Sequence, residues 1–231
     1  DNNDSYMSRK LVKVNVASGT TTVTSSFLYN INHVKEVVLP DGLREIGTSA
    51  FYYATGLSSI NFPVSVETIG ANAFAYTSSL STVELSPNIK TIGANAFESS
   101  GLISIVIPAS VTSIGTAAFK NTTKLVSATF ANNALIQSLP VEMFYGSRIE
   151  SFTVPKTVTS IGNYAFGNTN SLKSLEIPAS VKTFGNAILK NASSITELTL
   201  PGNQAVMYLF GILDSSSDKA KLVATVAKTL N

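Results

Sequence analysis

The sequence predicts a β-rich solenoid. It is read as a right-handed coil with a parallel sheet on one face and short strands with 3₁₀ or helical turns on the other, covered by a β cap at the N-terminal end and a helical cap at the C-terminal end. Three observations predict it. A segment ending in phenylalanine recurs at a nearly constant step, and a strand-like segment falls between each pair of these. The composition completes the case: 44% of the 231 residues are apolar but only 13% are charged. The chain can therefore bury a core while Ser, Thr and Asn fill its polar positions.

The first segment type is seen in Leu43–Phe51, Val66–Phe74, Ile89–Phe97, Val111–Phe119, Val158–Phe166 and Val181–Leu189. Each reads apolar-x-x-Ile/Phe-Gly-x-x-apolar/Ala-Phe, with Leu189 closing the series, and the step is 22 to 25 residues, most often 23. Gly70 and its equivalents are expected at turns with positive φ, which glycine reaches cheaply. Ala71–Ala75 is expected to form one helical or 3₁₀ turn.

The second type comprises Val34–Leu39, Leu57–Phe62, Leu80–Leu85, Leu102–Ile107, Leu125–Phe130, Ile149–Val154, Leu172–Ile177 and Ile195–Leu200. Apolar residues hold its first, fourth and sixth positions, so its end alternates as a strand does. Proline usually follows (Pro40, Pro63, Pro108, Pro155, Pro178, Pro201), which suits a strand end because proline donates no ladder hydrogen bond. A unit near 23 residues is too short to fold alone. Stacking buries what one coil leaves open. Leu57, Ile60 and Phe62 should point inward, with Leu80, Val83 and Leu85 above them and the phenylalanines plugging the far side.

These residues resemble the BspA-like, or Treponema-type, leucine-rich repeats over about residues 34 to 202. The resemblance rests on the string Leu-x-x-Ile-x-Ile-Pro-x-x-Val-x-x-Ile-Gly-x-x-Ala-Phe, nearly whole in Leu102–Phe119 and Leu172–Phe184 and repeated seven times. It implies a leucine-rich-repeat solenoid and a secreted or surface-attached bacterial or protozoan protein associated with adhesion. The family's cysteine three residues after the phenylalanine is replaced here by Ala54, Thr77, Thr122, Ser147, Thr169 and Ala192. The fifth repeat has Leu139-Pro140 for Ile-Gly and two extra residues, placed within Asn132–Leu135.

The domain reading follows. Residues 1–33 form an N-terminal hairpin cap, 34–202 the solenoid of about seven repeats, and 203–231 a helical cap with Val223, Val226, Ala227 and Leu230 at helical spacing. The Asp1–Ser5 start reads as a processed N-terminus or a cut boundary, with an extracellular or cell-surface location expected.

Chemistry-bearing residues are sparse. The chain has no cysteine, a net charge of +2, no basic run and one histidine, His33. Thiol chemistry is thereby excluded, nucleic acid is an unsuitable partner, and no apolar run is long enough to span a bilayer as a helix. No catalytic, cofactor or metal site is expected, and His33 is read as structural. The expected contact surface is the outward side of the strands. One column takes Glu36, Ser59, Thr82, Ser104, Ser127, Ser151, Ser174 and Glu197. The other takes Asn61, Glu84, Thr129, Thr153, Glu176 and Thr199, with Val38 and Val106 interspersed. Tyr52, Tyr53 and Tyr76 form a secondary candidate, since tyrosine offers contact area and a hydroxyl together. The function read from this is a non-enzymatic binding or adhesion module for an extracellular protein or glycan. A stalk or spacer is the alternative, and a parallel β-helix-type polysaccharide enzyme a more distant one. Only Glu176 and Glu197 sit near enough in register to act as paired acids.

Overall fold

A computed structural model describes residues 10–200 as a parallel solenoid of stacked coils. Two series of short strands run along it. The first comprises β1 (Lys13–Asn15), β3 (Glu36–Val38), β5 (Ser59–Ile60), β8 (Ser104–Ile107), β10 (Ser127–Phe130), β12 (Ser151–Thr153), β14 (Ser174–Glu176) and β16 (Glu197–Thr199). The second comprises β2 (Thr22–Val23), β4 (Glu45–Ile46), β6 (Thr68–Ile69), β7 (Thr91–Ile92), β9 (Ser113–Ile114), β11 (Ser138–Leu139), β13 (Ser160–Ile161) and β15 (Thr183–Phe184). Every pairing is parallel and joins a strand to its counterpart one coil away, as in Ser104↔Ser127 and Ile69↔Ile92. A third side of each coil, the turn ridge, follows the second strand.

The core is one continuous cluster. The rings of Phe51, Phe74, Phe97, Phe119, Phe144 and Phe166 are fully buried and stack face over face, with successive centroids 5.1, 5.3, 5.6, 5.5 and 5.9 Å apart. Each such pair contributes about 0.5–1.5 kcal/mol beyond area burial. Leu28 and Leu189, both buried, occupy the equivalent place at the two ends of the spine.

The repeat glycines serve a purpose other than the expected one. None of Gly47, Gly70, Gly93, Gly115, Gly162 or Gly185 has positive φ. A Cβ on Gly70 would instead lie 2.7 Å from the Gly47 carbonyl carbon, and one on Gly93 2.4 Å from the Ala71 nitrogen. Glycine is required because the backbones of successive coils touch there. Positive φ falls two and six residues further on, at Asn72 (55°) and Tyr76 (62°), Asn95 (55°) and Ser99 (52°), Tyr164 (55°) and Asn168 (54°).

That geometry also removes the expected helical turn. Along the ridge, alternate amides bond to the next coil (Ser49 N–H to Ala71 O, 2.8 Å; Phe51 to Ala73, 2.9 Å; Tyr53 to Ala75, 3.0 Å). The amides between them bond three residues back (Ala50 to Gly47, 3.2 Å; Tyr52 to Ser49, 3.1 Å). Half of the donors a helix needs are thus committed to a neighbour, and the described residues contain no helix. Each left-handed non-glycine residue costs about 1 kcal/mol or more, offset by the inter-coil bonds it orients.

The N-terminal hairpin does not form. β1 and β2 do not pair with each other; β1 pairs with β3 and β2 with β4. Residues 13–31 are an extra, degenerate coil, with Val23-Thr24 for Ile-Gly, Leu28 for phenylalanine and the same positive-φ pair at Ser26 and Asn30. The alternation over residues 11–16 correctly marks a strand, but coil stacking supplies its partner. The helical cap over 203–231 lies outside the described residues.

Each series is interrupted. Leu80–Leu85 runs alongside the first series without forming a strand, β10 does not pair with β12, and β9 does not pair with β11. The second interruption coincides with the two extra residues of the fifth repeat, where Asn133 turns at φ 60° and Leu135 is 55% exposed.

Candidate functional site

The outward side of the first series carries the residues expected there. Ser59, Thr82, Ser104, Ser127, Ser151 and Glu197 are exposed in one column, with Glu36 and Ser174 half-buried. Asn61, Glu84, Val106, Thr129, Thr153, Glu176 and Thr199 are exposed in the other. The register aligns Ser151, Ser174 and Glu197, and beside them Thr153, Glu176 and Thr199.

Several of these side chains are already occupied. Asn61 accepts from the Leu39 amide at 2.7 Å and donates to the Leu39 carbonyl at 3.0 Å. Its carboxamide continues the β3–β5 ladder where Pro63 and the short strand end it, so Asn61 is a structural bridge. Glu36 pairs with Lys13 at 2.7 Å, which extends its column by one coil. The Thr153 hydroxyl donates to Glu176 at 3.4 Å. Glu176 faces Thr199 and Glu197 faces Ser174, so the two carboxylates are diagonal neighbours.

Two grooves open on this face, one at each interruption of the ladder. One, of about 510 Å³, lies between Thr82–Leu85 and β8 and is bordered by Glu84, Ser104, Val106, Pro87 and Pro108. The other, of about 480 Å³, lies between β10 and β12 and is bordered by Thr129, Phe130, Ser151, Phe152, Thr153, Asn133 and Lys156. Ala131 borders both. Sequence reading marked the hydroxyls but not the grooves, because a concavity arises from where pairing fails. The only signal was the lengthened fifth repeat.

The second face carries a charge ladder. Glu67 accepts from Lys90 at 2.6 Å and from Arg44 at 3.2 Å. The Lys90 hydrogen bond, with its charge, holds the Glu67 carboxyl below the usual carboxylate range.

On the turn ridge the tyrosines do assemble, and Tyr29 joins them. Tyr29 stacks on Tyr52 at 5.1 Å and Tyr53 on Tyr76 at 4.6 Å, while Tyr52 meets Tyr76 edge-on at 5.5 Å. Desolvation first, then neighbouring phenols and Glu98, pushes the Tyr52 hydroxyl above its ordinary pKa. Desolvation and Glu98 do the same to Tyr76. Tyr29 was missed because its coil departs from the repeat.

A BspA-type leucine-rich-repeat model matches residues 2–126 and 137–210 in six copies. The chain belongs to the BspA-type leucine-rich-repeat family. The unmatched stretch, 127–136, contains the inserted residues of this BspA-type chain. Among solved structures, a leucine-rich-repeat protein from Bacteroides ovatus is 27% identical with a TM-score of 0.73, over 81% of this chain and 53% of that one. A Treponema pallidum leucine-rich-repeat protein is 22% identical with a TM-score of 0.60, over 80% and 78%. The pneumococcal vaccine antigen PcpA is 21% identical with a TM-score of 0.61, over 83% and 51%. A leucine-rich cell-surface protein from Faecalibacterium prausnitzii is 23% identical with a TM-score of 0.51, over 83% and 61%. The chain thus spans about half the length of the Bacteroides protein. No curated protein matches it. Among the described residues, no helix is long and apolar enough to cross a membrane.

Proposed function

We propose that this BspA-type chain is a non-enzymatic interaction module, secreted or displayed at the cell surface, that takes an extracellular protein or glycan against its first sheet. The carrying observation is the pair of grooves at the ladder interruptions, each bordered by outward hydroxyls and apolar side chains. An extended ligand laid along the stack meets hydrogen-bonding groups at the inter-strand spacing of about 4.8 Å and apolar contact in the grooves. Affinity then accumulates from many modest contacts along an open face. Two relatives support display outside the cell, one named a cell-surface protein and one a vaccine antigen.

The carboxylate arrangement favours binding over hydrolysis. Glycosidase chemistry needs two carboxyl groups about 5–10 Å apart across the scissile bond. Glu176 and Glu197 stand diagonally on one open sheet, with a threonine hydroxyl on the former. A spacer role in a longer protein is the second reading, favoured by the half-length match to the Bacteroides protein.

The test is a screen of immobilised matrix proteins and glycans, followed by Thr129→Arg and Thr153→Arg, which fill the groove between β10 and β12. Binding should weaken about tenfold or more, as for a central interface position, while Ser113→Arg, exposed on the second strand series, leaves it unchanged. Undiminished affinity in both groove variants sinks the groove reading. A wild-type chain that captures nothing from the panel favours the spacer.

A further inference from the structure

The geometry points to a second contact site, on the turn ridge: Tyr52, Tyr53 and Tyr76, with Glu98 at their edge, form a docking place for the lysine or arginine side chains of a basic protein segment. Two other tyrosines of the same ridge show how such a site is filled. Lys120 places its ammonium 5.3 Å from the Tyr145 ring centroid, and Lys190 places its own 5.8 Å from that of Tyr164. Both distances lie within the roughly 6 Å reach of a cation–π contact. Toward the C-terminal end, then, the ridge satisfies its aromatic faces with its own cations. Toward the N-terminal end the rings gather in greater number, and the residue placed next to them is an acid.

Glu98 occupies, one coil earlier, the ridge position that Lys120 holds in the next coil. Its carboxylate accepts a hydrogen bond from Asn95 Nδ2 at 2.7 Å, and among the described residues it enters no ion pair. It lies close enough to Tyr52 and Tyr76 to add to the desolvation that raises both phenols, while the Lys120 ammonium, held by Glu142, acts on Tyr76 in the opposite sense. Tyr53 is 42% exposed and Tyr29 39% exposed, which leaves aromatic surface open to a partner. Charge complementarity selects the occupant. The cluster offers a carboxylate and π-faces together, and a lysine or arginine side chain satisfies both at once. The chain as a whole carries a net charge of +2, so a basic segment drawn to it is drawn by a local feature and not by the overall field.

The experiment uses a fluorescent peptide of lysines alternating with serines, and the same peptide with every lysine acetylated, in an anisotropy titration against the full chain. The lysine peptide should bind and the acetylated one should not. Tyr53→Leu, which keeps apolar bulk but removes the π-face, should weaken binding about tenfold, and Glu98→Gln several-fold. Tyr145→Leu, on the part of the ridge that already holds its own lysine, should leave binding unchanged, and so should Thr129→Arg in the sheet groove. The inference is overturned if both peptides bind alike, if the lysine peptide does not bind, or if Tyr53→Leu and Glu98→Gln both retain wild-type affinity. Because Thr129→Arg tests only the sheet, failure of one surface is separable from failure of the other.

Discussion

At the scale of single residues, glycine has two distinct jobs in this chain. Gly93 lies where a Cβ would meet the Ala71 nitrogen at 2.4 Å, whereas Gly19 sits at φ +85° in open space. Gly93→Ala forces two backbones apart and should destabilise by about 2–4 kcal/mol, as overpacking does at its upper end. Gly19→Ala meets only conformational strain and should cost about 1 kcal/mol. Urea midpoints of the two variants, at equal slope, decide it; equal losses refute the backbone-contact account. The glycine column itself was legible in the sequence, but its reason was not. Periodicity shows where glycine recurs, and only the spacing between coils shows that a backbone lies against it. The true left-handed positions had a trace of their own, since Asn72, Asn95, Asn121, Asn168 and Asn191 hold several of them and asparagine tolerates that conformation best after glycine. Asn61 has a task of its own that periodicity does not announce: its exposed carboxamide also completes the unfinished ladder beside it.

At the scale of elements, strands were legible wherever the repeat was regular. Their apolar positions face inward as expected, from Val37 through Ile105 to Leu198. Reading was poorest where a coil departs from its neighbours. The first coil lacks both Ile-Gly and phenylalanine, so its two strands resembled a free-standing hairpin, although each pairs with the following coil. The fifth coil was recognised as longer, yet the loss of pairing on both of its sides could not be counted from residues alone. Pairing is lost between β10 and β12 and between β9 and β11, and we attribute this to its two extra residues. Removing Asn132 and Asn133 should therefore join the separated ladders. Amide exchange at Thr153, whose N–H lies on the β10 side of its strand, should slow by at least about tenfold as that amide enters a closed ladder, and ligands of the groove should be lost. Unaltered exchange would show that the interruption has another cause.

At the scale of the whole molecule, the phenylalanine spine ties each coil to the next and to no other. Stability should then be a sum of coil terms and nearest-neighbour terms. Phe97→Ala should cost about 3–5 kcal/mol, in line with other buried aromatic truncations. Combined with Phe166→Ala, whose ring lies several coils away, the losses should add to within about 0.5 kcal/mol. Combined with Phe119→Ala, whose ring stacks on Phe97 at 5.6 Å, they should depart from additivity by more than that. A double-mutant cycle by denaturant titration distinguishes the two patterns.

The uniform one-coil register has an evolutionary corollary. Where the core contacts recur under a single translation, a period can be gained or lost by unequal recombination with the phenylalanine spine kept in register. The fifth coil is where such exchange stops being neutral, because a duplicate of it would bring a new break in both ladders. Length is therefore most readily adjusted among the regular coils, and the short insert at Asn132–Leu135 is the landmark against which paralogues of different length would be aligned.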